Sequence, residues 1–190
     1  MTDLKIPWER YALITELADR LSKTETQFGK TMLQKLVFLL QESFDMKLGY
    51  SFDLYTYGPF CTQLLIDLDQ VEALNGVEVK PVVSGFGGYQ IEPGERKDFI
   101  REKGASLFEH KGVSNDLDEL IRHFGGLLAV DLELRATIVY VVNDHKRQGQ
   151  DLTLAQIAHI VGEIKPKFSE KLIEDAIVEL SEEGYIELAD

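Results

Sequence analysis

The amino-acid sequence predicts a mainly α-helical protein with a small β-hairpin wing: a winged-helix-like N-terminal module, then a helical C-terminal part ending in a second helix-turn-helix-like unit. Three observations carry this. Apolar residues recur at helical spacing through most of the 190 residues. Two short β-rich stretches, Val77 to Val83 and Gly88 to Ile91, are joined by Ser84-Gly85-Phe86-Gly87, which is hairpin chemistry. That pair follows three helical segments and one short strand, in the order a winged helix requires.

Residues 7–22 read as the first helix. Pro7 suits its first position, and Tyr11, Ile14, Leu17, Ala18 and Leu21 share a face. A polar turn, Lys23 to Gly29, leads into a second helix over about 31–44. Leu33, Leu36, Val37, Leu40 and Phe44 line one side of it, and Phe38 and Leu39 widen the stripe, so most of its surface should be buried. Tyr50, Phe52, Leu54 and Thr56 alternate with Ser51, Asp53 and Tyr55 as a short strand, which Gly58 and Pro59 end. A third helix runs from about Phe60 to Leu74, with Pro59 at its start and Asn75-Gly76 as its stop. With the hairpin, these elements make a module of residues 1–92. Residues 93–150 form a helical connector with helices near 95–110, 116–129 and 131–146, the last burying Leu134, Ile138, Val141 and Val142. Residues 151–190 form the second helix-turn-helix-like unit. It has a short helix at 153–161, a longer one at 169–183 with Ser169 as N-cap, and a short strand from Tyr185 to Leu188.

Composition narrows the function classes. Cys61 is the only cysteine, which excludes an internal disulfide and a multi-cysteine zinc site. The longest apolar run, Leu36 to Leu40, is far below the roughly 20 residues that span a bilayer. No apolar leader segment is visible, so a cytoplasmic protein is expected. The net charge of −13 divides as −1 over residues 1–60, −4 over 61–94, −1 over 95–150 and −7 over 151–190.

Several catalytic or ligand motifs start and fail. Gly29-Lys30-Thr31 resembles the end of a phosphate-binding loop, but the glycine required five positions earlier is Thr24. Gly85, Gly87 and Gly88 have the wrong spacing for a dinucleotide fingerprint. His110, His123, His145 and His159 are scattered; His159 and Glu163 stand one helical turn apart, too few ligands for a metal site. Cys61 at a helix start could be a nucleophile, but no histidine lies near it in sequence. No enzyme activity and no cofactor are expected.

A DNA reader needs a recognition helix edged with Lys or Arg. Phe60 to Leu74 offers Thr62 and Gln63, but also Asp67, Asp69 and Glu72, with no basic residue. The wing adds only Lys80. In the helix at 169–183, Lys171 stands against six carboxylates. A DNA-binding reading would rest on Lys30, Lys35, Thr62 and Gln63, with Lys165 and Lys167 as a further basic pair. The charges favour a protein-binding scaffold instead.

The segments KTMLQKLVFLLQE and LGYSFDLYTYGPFCTQLLIDL, between Lys30 and Leu68, resemble the signature of the Panacea (SocA-type) antitoxin-domain superfamily. The matching residues are Leu33, Gln34, Lys35 and Leu36 in a helix, then Tyr57, Gly58 and Pro59 at a turn. The remainder is similar to YwgA-like bacterial and archaeal proteins, notably in KPKFSEKLIEDAIVELSEEGYI, which opens with Lys165, Pro166, Lys167 and Phe168. The resemblance implies a helical or winged-helix fold without enzymatic activity. In the antitoxin branch it implies neutralisation of a toxin by direct contact. From the residues, Leu33 and Leu36 are core and Lys35 snorkels. Gln34, Lys35, Tyr55, Tyr57, Gly58 and Pro59 converge near one turn as candidate partner-binding residues. A homodimer formed through the apolar helix at 131–146 is a further expectation.

Overall fold

The structure, a computed structural model, describes residues 6–83, 85 and 87–189. Among these the chain forms nine helices and two antiparallel two-stranded sheets. It is mainly helical with a small hairpin, as the periodicity predicts. Helices α1 (Trp8–Leu21) and α2 (Lys30–Ser43) are buried over most of their surface. α2 packs on α7 (Ala129–Arg147), and α1 packs on α4 (Lys97–Lys103). Leu134, Ile138, Val141 and Val142 of α7 are all buried inside the chain. The stripe expected to hold a second copy is therefore already covered, which corrects the dimer expectation for this helix.

The helix expected over 95–110 is two, α4 and α5 (Ser106–Glu109). Gly104 explains the break. A Cβ there would lie 2.3 Å from the Trp8 carbonyl oxygen and 2.5 Å from the Ala12 Cβ, so glycine lets α4 end hard against α1. α6 (Val113–Phe124) follows.

The first strand does not join the wing. β1 (Asp53–Tyr55) pairs with β2 (Gly58–Phe60) in a sheet of its own, with Tyr55 opposite Gly58 and Leu54 opposite Pro59. Gly58 has φ +86°. Glycine takes this left-handed conformation without penalty just after the two-residue turn Thr56-Tyr57. Pro59 thus lies in a strand rather than opening a helix, and α3 (Thr62–Ala73) begins later than expected. The wing is β3 (Val77–Pro81) and β4 (Tyr89–Pro93), in register from Val77 opposite Pro93 to Pro81 opposite Tyr89. Two residues of its expected tip, Ser84 and Phe86, lie outside the described residues. The Ile91 N–H donates to the Phe28 carbonyl at 2.7 Å, docking the wing on the α1–α2 link.

At the C-terminal end, Thr153 and Gln156 form a capping box on α8 (Leu154–Ile164). The Ser169 hydroxyl accepts from the Leu172 N–H at the start of α9 (Glu170–Glu182), as expected. The strand expected over 185–188 does not form. Tyr185 is buried by rings instead, its centroid 5.0 Å from Phe124 and 5.6 Å from Phe44. One hydrophobic core includes Leu36, Ile138 and Ile177, from all three sequence segments. No described helix is long and apolar enough to cross a membrane.

Candidate functional site

The candidate residues converge on the β1–β2 turn, and α2 holds that turn in place. The Gln34 side-chain amide accepts from the Cys61 N–H at 2.8 Å and donates to the Cys61 carbonyl at 2.9 Å. It acts as one rung of a β-ladder supplied by a helix. Gln41, two turns further along the same face, does likewise to Tyr50, at 3.0 and 2.8 Å. The two glutamines clamp both ends of the segment 50–61. Between them, Lys35 Nζ donates to the Pro59 carbonyl at 2.8 Å. Leu33 and Leu36 are core.

Beneath the turn lies a buried charge cluster. Lys35, Glu133 of α7 and Lys165 at the end of α8 are each only 2–3% exposed. Lys165 Nζ lies 2.9 Å from Glu133 Oε1 and donates to the Tyr55 and Thr56 carbonyls. Lys167 Nζ donates to Glu133 Oε2 at 2.8 Å. The Lys165–Glu133 contact is close but poorly aligned as a hydrogen bond, so its attraction is chiefly Coulombic. Burial pulls the Lys35 ammonium down to about 8; Glu133 resists the shift and Lys165 reinforces it. Gly58 fits over this cluster because it lacks a side chain: a Cβ would meet Thr137 Oγ1 at 3.2 Å and Lys35 Cε at 3.4 Å.

The upper side of the turn is apolar and open. Tyr55 and Tyr57 are 60% and 67% exposed. The Tyr55 ring meets Phe60 edge-on at 5.4 Å, and Lys167 Nζ lies 6.0 Å from the Tyr57 centroid. A cavity of about 390 Å³ opens beside them, lined by Thr31, Gln34, Lys35, Tyr55, Tyr57, Phe60 and others. The six candidates therefore divide in two. Tyr55 and Tyr57 present surface, whereas Gln34, Lys35, Gly58 and Pro59 are buried and position it.

The residues of the DNA-binding reading are not gathered as that reading needs. Lys35 is buried against Pro59 and cannot reach a phosphate. Gln63 is exposed but donates to Asp67 Oδ1 at 2.9 Å, and Thr62 is exposed. Lys30 lies over the Tyr89 ring at 4.5 Å, on the far side of the cavity. Lys165 and Lys167 are committed to Glu133, which corrects their reading as a free basic pair. On the wing, Lys80 is bound by Glu78 and Glu92, and those hydrogen bonds raise its pKa. Asp67 counts against DNA only in the sequence. It is 1% exposed, pairs with Arg10 at 2.9 Å and accepts from the Tyr50 hydroxyl at 2.7 Å, and Tyr50 is raised by burial and by Asp67.

Cys61 is 4% exposed. His159 and Glu163 form an exposed pair at 3.8 Å. Among the described residues no group of three or more His, Cys, Asp or Glu could hold a metal ion. The sequence reading missed Glu133 and Gln41. Glu133 carries no local signal, being one carboxylate in an apolar helix. Gln41 does: it repeats Gln34 at seven residues, which returns to the same helical face. Comparison with protein-family models and with curated proteins finds no match.

Proposed function

We propose that this chain is a non-enzymatic protein-interaction module of the cytoplasm, binding a partner protein through the Tyr55–Tyr57 turn and acting, antitoxin-like, by occluding it. The observation that carries the reading is the pair of exposed tyrosines on a turn fixed from below by Gln34, Lys35 and Lys165. Tyrosine brings a large amphipathic surface at low entropic cost, and a pre-ordered turn lowers that cost further. The resemblance of Leu33 to Leu36 and Tyr57 to Pro59 to the Panacea signature supports the same role.

The expected partner is the product of a neighbouring gene. On co-expression the wild-type chain should co-purify with that product and suppress its toxicity. Tyr55→Ser/Tyr57→Ser should lose both effects with an unchanged thermal melt. Equal suppression by the double variant, or the absence of any partner gene beside this one, overturns the reading.

A further inference from the structure

The cavity beside the turn continues past it. A second cavity, of about 480 Å³, shares Lys30 and Thr31 with the first. Together they make one groove across the first turn of α2. Both ends of the groove are apolar. Tyr55, Tyr57 and Leu65 form one end; Tyr89, Leu128 and Val130 form the other, exposed by 45, 62 and 42%.

The charge between the two ends has a single sign. Among the described residues lining either cavity, the charged ones are Lys30 and Lys35, and there is no carboxylate. That is unusual for a chain with 33 acidic residues against 20 basic ones. The start of α2 adds to it. Its N-cap is Gly29, without a side-chain cap, and its first turn holds no acidic residue, so the positive end of the helix is not offset locally. The Tyr89 ring orients the Lys30 ammonium without neutralising it.

Resting on the protein-binding role proposed for the turn, we infer that this groove takes a peptide segment of the partner in which an Asp or Glu stands between two apolar side chains. The carboxylate lies at the start of α2 beside Lys30. One apolar group fills the cavity at Tyr55 and Tyr57, and the other fills the cavity at Leu128 and Val130. A nucleic-acid backbone is a poorer fit. It would meet one accessible cation in a chain of net charge −13.

A random peptide library displayed on phage and selected against the purified full chain tests this. Enriched peptides, synthesised with a fluorophore, are titrated by anisotropy against wild type, Lys30→Glu, Val130→Ser and Tyr55→Ser/Tyr57→Ser. An acidic residue at the first position of α2 favours the helix, so Lys30→Glu should remain folded. Enriched peptides should carry one acid between apolar residues and bind about tenfold more weakly to Lys30→Glu at low salt, a difference that narrows as added salt screens the pair. Val130→Ser should weaken the same peptides. Peptides without an acid, or unaffected by Lys30→Glu, overturn the inference, while their dependence on Tyr55 and Tyr57 would leave the protein-binding role standing. Peptides indifferent to the double tyrosine change sink both. Enrichment of no sequence, or binding of a labelled DNA duplex abolished by Lys30→Glu, also overturns the inference.

Discussion

Beneath the candidate turn, side chains of α2 act on backbone. Gln34 and Gln41 each saturate one residue's N–H and carbonyl, a task that a β-strand normally performs. Gln34→Leu keeps the volume near enough but leaves both Cys61 groups unpaired in a buried setting. It should cost about 2–4 kcal/mol, since each orphaned buried group costs roughly 1–3 kcal/mol. Urea midpoints would show this, and a loss within the scatter of surface substitutions would refute the clamp. Lys35 makes a different prediction, of sign rather than size. The unfolded chain holds its proton up to about 10.5, the folded chain only to about 8. Below about 8 both states are charged, and the folded state bears the whole cost of the buried ammonium. Above it the unfolded chain binds more protons, so stability rises with pH through this group. Tyr50, held un-ionised in the fold, opposes the trend only above about 10, where free tyrosine ionises. Between pH 8 and 9.5 wild type should therefore gain on Lys35→Met by up to about 1.4 kcal/mol per pH unit. A flat difference in urea stability across that range would mean the ammonium stays charged. Gln34, Lys35, Tyr57 and Gly58 were legible as a set through the resemblance that their two motifs carry. Their division into surface and support was not, because spacing does not say which way a helical side chain finds its partner.

Among elements, the instructive failures lie where one residue redirects the chain. Gly58 reads as a strand end, and its positive φ makes it a turn that folds β2 back on β1. Residues 95–110 read as one helix, and the close approach of Gly104 to Trp8 splits it. Both are long-range or conformational facts that hydrophobic periodicity cannot carry, whereas the main helices were legible because their faces are strongly periodic. Of the three carboxylates counted on α3, Asp67 alone leaves the surface, turned inward to Arg10 and Tyr50. The turn joins three elements, α2 through Lys35, α7 through Glu133 and the end of α8 through Lys165. Glu133→Ala should then be far worse than a surface carboxylate loss, by about 3–5 kcal/mol, because it strands Lys165 as an uncompensated buried charge. Removing both partners with Glu133→Leu/Lys165→Met should cost less than Glu133→Ala alone, since Lys165 is then not left stranded and the Lys35 ammonium is common to both variants. Additive losses in denaturant unfolding would show that the two do not act as a pair.

At the scale of the whole molecule, sequence segmentation and packing suggest different units. Charge and loop composition set residues 151–190 apart as a strongly acidic tail unit. Yet Ile157, Val161, Ile173 and Ile177 belong to the same core as α2 and α7, and Lys165 of that segment neutralises Glu133 and bonds the turn. If packing decides, a chain ended at Gln150 loses apolar cover on α7 and strips Glu133 of Lys165 and Lys167. Losing those pairs and exposing a continuous apolar face together cost several kcal/mol, against a total stability of about 5–15 kcal/mol for a typical domain. The truncated chain should therefore show no cooperative thermal transition, while the full chain melts in one step by both far-ultraviolet dichroism and tyrosine fluorescence. A fragment 1–150 that melts cooperatively near the full-length midpoint would establish the acidic segment as a separate domain. It would also mean that the turn presenting Tyr55 and Tyr57 is held by α2 and α7 without the end of α8. The two outcomes differ in what they say about binding. With a shared core, occupancy of the turn couples through Lys165 to the seating of α8 and α9, and a bound partner protects that segment from proteolysis.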